Sequence, residues 1–263
     1  MNRSFAVSLL TLVVSWLADG VTPAYAAIIT NGSFESGLTG WIIVNQAGGE
    51  GSFSIQSGTT SPVTGEIVPA PQTGLTAAMS DAGGPGSHVL YQDFVVPAFG
   101  PGESGFAFQA SLFVGNRADR FALPNSLQFD VLGSGTAGFN QRARVDITLA
   151  GATSPFTLAA NEVLRNVYET KVGDPLISGY TSINADLTSI LAGRTGQTLR
   201  LRFAEVDNLG PFQFGVDNVD ISAVPEPSSA VLMLLACLMA MGRFVRTCLG
   251  FRYALDWSLA PAI

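Results

Sequence analysis

Apolar and polar residues alternate with a period of two through much of the middle of the chain. Arg142, Arg144, Asp146 and Thr148 interleave with Ala143, Val145, Ile147 and Leu149. That spacing predicts a strand with one wet and one buried face. Residues 106–114, 127–132 and 198–206 also alternate or run apolar, and each is bounded by Gly, Pro, Asn or Ser. Earlier strands are predicted at 41–44, 52–56 and 89–96, and a later one at 215–221. Gly-rich stretches at 48–49, 83–86 and 133–138 read as turns. One short helix is predicted over 184–192, with Asn184 as its N-cap and Gly193 just past its end. Many short strands and almost no helix predict an all-β, antiparallel β-sandwich of one domain over residues 27–223. Its 197 residues suffice to bury roughly 70% of the unfolded surface.

The ends depart from this pattern. Residues 5–17 form an apolar run of 13 behind Arg3, and Ala24-Tyr25-Ala26 follows with small residues at both outer positions. This reads as a signal peptide over 1–26, cut after Ala26. As a membrane helix the run falls short of the roughly 20 residues a bilayer needs. At the other end, strand-like sequence stops at Ala223 and Val224-Pro225-Glu226-Pro227-Ser228-Ser229 begins. Prolines two apart predict an extended, solvated spacer over 224–229. An apolar segment with a basic stop, Arg243 and Arg246, then fills 230–246 and reads as a helix with its charges on the cytoplasmic side. A tail over 247–263 completes the chain.

Charge narrows the function classes. The whole chain carries a net −7, and residues 27–223 hold 17 acidic residues against nine Lys and Arg. That field repels phosphate backbones and excludes nucleic acid as a partner. The two cysteines, Cys237 and Cys248, both lie outside the predicted domain, so no disulfide braces it and no CxxC metal site exists.

The order Val224-Pro225-Glu226-Pro227, apolar segment, Arg243 and Arg246 resembles the PEP-CTERM sorting signal of Gram-negative bacteria. The resemblance implies a precursor held in the inner membrane and cut by the membrane enzyme exosortase. The body is then a cell-surface or extracellular protein that accompanies exopolysaccharide and biofilm production. The 17-residue tail departs from the pattern, which usually ends soon after the arginines.

A second resemblance lies within the domain. Asn31-Gly32-Ser33-Phe34-Glu35 before Trp41, and Phe214-Gly215-Val216-Asp217-Asn218-Val219 near the far end, are similar to the first and last strands of carbohydrate-binding modules with a galactose-binding-like jelly roll. There the two strands are neighbours, and the resemblance implies that Glu35 and Asp217 help hold a structural Ca2+. Calcium takes six to eight oxygens, carboxylates among them, so both residue types suit it. The plain alternative leaves Glu35 in solvent and Asp217-Asn218 in a turn. Asp207-Asn208 is a lesser metal candidate that reads first as turn chemistry.

A sugar platform would draw on Trp41, Tyr91, Tyr168 or Tyr180. Trp41 reads as core and Tyr180 as the exposed ring. The lone histidine, His88, sits in Gly-Pro-Gly-Ser-His and reads as a surface-loop residue, with no nucleophile motif beside it. The expected function is a non-catalytic, exosortase-processed surface or matrix protein. The alternatives are a calcium-stabilised carbohydrate-binding module and a secreted glycan hydrolase or lyase, whose paired carboxylates only a three-dimensional structure could bring together.

Overall fold

The computed structural model describes residues 27–115, 126–131, 138–174, 179–209 and 211–226, together with Met239. The signal peptide with Ala24 and Ala26, Pro227, the apolar segment with Arg243 and Arg246, and the tail 247–263 lie outside these residues. Ten strands follow in order: β1 (Ile42–Asn45), β2 (Ser52–Ser57), β3 (Thr76–Ala82), β4 (Gly86–Val95), β5 (Glu103–Val114), β6 (Gln141–Leu149), β7 (Val163–Glu169), β8 (Thr181–Asp186), β9 (Thr198–Asp207) and β10 (Phe212–Pro225). A single turn of helix, α1 (Thr188–Leu191), joins β8 to β9.

The strands form two five-stranded sheets, ordered β1-β4-β9-β6-β7 and β2-β3-β10-β5-β8, with every pairing antiparallel. The chain changes sheet at each connection except β2–β3 and β6–β7. This wrapping gives the jelly-roll sandwich that the strand pattern predicts. Inward residues of both sheets meet in one core, in which Phe203 of β9 lies 5.8 Å from Trp41 and 6.4 Å from Phe214 of β10.

Several expectations need correction. Residues 127–131 form a turn, although Leu127, Phe129 and Val131 alternate; Leu127 caps Val89, Ala204 and Val206 on the outer face of the first sheet. The predicted helix over 184–192 is real but shorter: residues 184–186 belong to β8, and only Thr188–Leu191 are helical. Asn184 pairs with Gln109 in β8, and Asp186 Oδ1 accepts the Thr188 N–H at 2.8 Å where α1 begins. The segment 28–40 is a series of turns rather than a strand, yet it does lie along the last one. Ile28 N–H donates to Ile221, and Val219 N–H donates to Gly32. β10 continues two residues beyond Ala223, with Val224 opposite Gly105 and Pro225 opposite Glu103, so the sheet reaches into the proline spacer.

The expected wet face of β6 is buried as well. Its polar residues belong to a charge network beneath the 150–162 loop. Arg144 grips Asp146 with Nε and Nη2 at 2.8 and 2.6 Å, Arg202 binds the same carboxylate, and Arg202 Nη1 donates to the Pro155 and Thr157 carbonyls. Glu169 accepts from Arg142 and Arg144 at 2.8 and 3.1 Å. Burial alone would raise the Asp146 pKa, but Arg202 and then Arg144 hold it below the usual carboxylate range.

Removing Asp146 leaves two buried guanidinium groups without their shared anion. Asp146→Ala is expected to lower stability by about 3–5 kcal/mol, read as a lower urea midpoint with an unchanged slope.

Candidate functional site

The outer face of β8, β5 and β10 holds a groove of about 580 Å3. Register builds it in rows. Asn184, Gln109 and Asp220 stand side by side across the three strands, and Asp186, Ala107 and Ser222 form the next row. Gly105 lies beyond, where a β-carbon would come within 2.6 Å of Thr188 Oγ1, so only glycine lets Thr188 close that end.

A bulge in β10 directs Asp220 and Ser222 into the groove. Between Asp217 and Asp220 the pairing with β5 slips, and Asn218 adopts a left-handed φ of 51°. Before the bulge Phe214 and Val216 point into the core; after it Val219 and Ile221 do. The parity change turns the even-numbered residues 220 and 222 outward. Asp220 is half-buried, Gln109 and Asn184 are exposed, and none of the three side chains makes a hydrogen bond or ion pair among the described residues. Gln109 and Asn184 can donate to and accept from sugar hydroxyls, and the Asp220 carboxylate can accept from them.

The bulge also receives the N-terminal motif. A β-carbon on Gly32 would fall 1.8 Å from the Val219 carbonyl oxygen, so this crossing requires glycine. Asn31 secures the following turn, donating to the Gly37 and Thr39 carbonyls, while its own carbonyl accepts from Trp41 Nε1 at 3.1 Å. Phe34 is fully buried 5.2 Å from the Trp41 ring. Most of the motif therefore serves the turn and the core.

Glu35 and Asp217 do converge, on the loop 72–76. Glu35 Oε1 accepts the Leu75 and Thr76 N–H groups, both at 2.9 Å, and Asp217 Oδ2 accepts the Thr73 N–H at 3.0 Å. The Thr76 and Leu75 amides lower the Glu35 pKa. Burial raises that of Asp217, and the Glu35 charge adds to it despite opposing backbone hydrogen bonds. Two carboxylates with this repulsion suit a cation between them, although amide N–H groups already use part of their capacity. No group of three or more His, Cys, Asp or Glu side chains is placed to hold a metal among the described residues. A calcium ion held here would need carbonyl and water oxygens as well.

The other candidates settle into structure. Asp207 Oδ1 accepts from Leu209 N and Gln141 Nε2, and Asn208 Oδ1 accepts the Asn140 N–H, which is turn chemistry. Trp41 is core, and Arg200 lies 3.7 Å over the Tyr91 ring. Tyr168 is partly buried. Tyr180 is not an exposed ring: it lies across Gly215, packs with Val68, Met79 and Phe113, and donates its hydroxyl to Gln56 at 3.0 Å.

His88 is also misplaced by the sequence reading. Because β4 begins at Gly86, His88 points into the sandwich and is 1% exposed. Its Nδ1 meets Asn45 Oδ1 at 2.9 Å, and its Nε2 lies 3.8 Å from Glu205 Oε2, beyond hydrogen-bond reach. Ser80 donates to Glu205 at 2.9 Å. Burial brings the His88 pKa down to about 4, and burial with the Asp207 charge raises that of Glu205 well above normal. Sequence could not reveal this pair, which arises from the β4–β9 register.

No protein-family profile matches the chain, and no curated protein sequence matches it. Solved structures are similar in fold. A carbohydrate-binding module, TmCBM61, in complex with β-1,4-galactotriose is 10% identical with a TM-score of 0.41, over 76% of this chain and 99% of that one. A cleaved adhesin domain of Lys-gingipain from Porphyromonas gingivalis is 13% identical with a TM-score of 0.44, over 75% and 99%. The enzymatically active domain of tailspike protein 4 of bacteriophage CBA120 is 11% identical with a TM-score of 0.40, and this chain spans 21% of its length. No helix among the described residues is long and apolar enough to cross a membrane.

A histidine with a depressed folded pKa stabilises the fold only while it stays neutral. Its contribution is lost as pH falls from the unfolded value of 6.5 through about 4. Glu205 has the opposite sign, its stabilisation being present at low pH and lost as pH rises. Between pH 7.5 and 4.5, His88 is expected to cost the wild type about 2–3 kcal/mol that His88→Gln does not lose, measured as the difference between their urea midpoints at the two pH values.

Proposed function

We propose that this chain is an exported, non-catalytic protein whose jelly-roll domain binds an extracellular polysaccharide in the β8–β5–β10 groove. The observation that carries this reading is the row Asn184, Gln109 and Asp220. Three polar side chains stand together over a concave surface, and none makes a hydrogen bond or ion pair among the described residues. On the other sheet, charged residues pair with one another in the Arg200–Asp93 bridge at 2.7 Å and the Asp146 network. Sugar hydroxyls match such a row because each can donate and accept.

Export and surface sorting rest on the two ends of the sequence. The segment 1–26 has the build of a signal peptide. Val224, Pro225, Glu226 and Pro227, with Arg243 and Arg246 beyond, have the order of an exosortase substrate. Val224 and Pro225 end β10, and Glu226 N–H donates to the Gly102 carbonyl, with all three residues exposed. Processing would leave the domain at the cell surface or in the matrix. Calcium at Glu35 and Asp217 would be structural, neutralising two like charges where the N-terminal turn meets the bulge.

Three measurements test these readings. Gln109→Ala with Asp220→Ala is expected to weaken binding to a retained polysaccharide by roughly tenfold or more in affinity electrophoresis, without lowering the melting temperature. Unchanged mobility would remove the groove from the proposal. Calcium is expected to raise the melting temperature and chelator to reverse this, with Asp217→Asn abolishing both responses. For sorting, mass spectrometry of cell-surface material is expected to lack peptides beyond Arg246; their abundance there would contradict removal of the C-terminal segment.

A further inference from the structure

The charge of the groove points to the class of glycan, an inference that rests on the polysaccharide reading above. The lining contains two carboxylates, Asp186 on β8 and Asp220 on β10, and no Lys, Arg or His among the described residues. They stand on opposite walls in adjacent rows, with the small residue Ala107 between them on β5. With strands about 4.8 Å apart and two residues of offset, their Cα atoms lie about 12 Å apart, the reach of a short oligosaccharide.

Neither carboxylate is fully used by the protein. Asp220 has no partner among the described residues. Asp186 accepts from the Thr188 hydroxyl and, at Oδ1, from the Thr188 N–H, and the Arg165 charge of the neighbouring sheet acts on it more weakly. The remaining polar lining, Gln109, Asn184, Ser104 and Ser222, is neutral and can serve either hydroxyls or ammonium groups. An acidic glycan would place its uronate or sulfate groups against two carboxylates in a domain already net negative, a like-charge contact that nothing in the lining offsets. A glycan bearing protonated amines gains charge-assisted hydrogen bonds in the same place.

We infer that the groove selects an amine-bearing polysaccharide, a glucosamine polymer with free amino groups, over its acetylated and its acidic counterparts. Asp186 and Asp220 receive the ammonium groups, and Gln109 with Asn184 holds the hydroxyls between them.

The experiment uses the full-length chain in mild detergent and titrates three oligosaccharides of matched length by calorimetry: glucosamine, N-acetylglucosamine and galacturonate oligomers. The glucosamine oligomer is expected to bind roughly tenfold more tightly than the acetylated one, the step one charge-assisted hydrogen bond supplies. That preference is expected to vanish in Asp186→Asn with Asp220→Asn and to shrink with added salt, while the galacturonate oligomer does not bind. Equal or tighter binding of the acetylated or acidic oligomer, or a preference that survives the double substitution, would overturn the selectivity but leave polysaccharide binding intact. If none of the three binds, and no polysaccharide is retained in affinity electrophoresis, the binding reading itself falls.

Discussion

In β10 one residue too many lies between two stretches of pairing with β5, and the fold accommodates it with Asn218 in a left-handed conformation. Until that point even-numbered side chains fill the core; afterwards odd-numbered ones do. A straight strand would drive Asp220 and Ser222 into an apolar interior, at the cost of desolvating a carboxylate. The groove therefore depends on this bulge. So does the seat of the N-terminal turn, because Val219 offers its N–H to Gly32 only where the strand bends out of its ladder. Glu35 and Asp217 approach each other for the same reason.

The two outer faces use their polar residues differently. On the first sheet, the buried Arg142, Arg144 and Arg202 pair with Asp146 and Glu169. Such a network adds little net stability over an apolar equivalent, but it tolerates few changes because each partner leaves a charge behind. On the second sheet, the polar row over the groove is open and has no such partners among the described residues. Position alone thus separates a structural set of polar residues from one free to meet a ligand.

Sequence revealed the fold class because alternation over β5, β6 and β9 is strong and Gly-rich turns punctuate it. It missed β3, whose Thr-Ala-Ala-Met-Ser-Asp-Ala has small residues on both faces and no contrast to read. It also missed β7 and β8, edge strands with mixed exposure. Asn184 reads as a helix cap because Asn is a good N-cap and Gly193 follows at the far end of a short segment, but pairing with β5 overrides that local preference. Alternation at Leu127, Phe129 and Val131 was equally misleading, since a turn can also offer apolar residues to a sheet's outer face. For the sites, the Asn-Gly-x-Phe-Glu motif led to Glu35 and Asp217, whose proximity a resemblance could imply. The groove was not legible: Gln109, Asn184, Asp186 and Asp220 come from three strands and unite only through register and the bulge.

β10 also links the domain's two proposed roles. Its middle supplies the bulge and Asp220, and its end passes through Val224 and Pro225 into the proline segment. A proline suits this terminal position because a strand's last residue can forgo its N–H without interrupting the ladder. Glu226 then makes one more backbone bond to Gly102 before the described strand region ends. A sorting enzyme acting just beyond would cut beside a strand anchored through two central pairings, to β3 and to β5. The described residues that form the core or line the groove all precede Glu226. The proposed address and the binding surface meet at Val224, which opens the proline segment and also lines the groove.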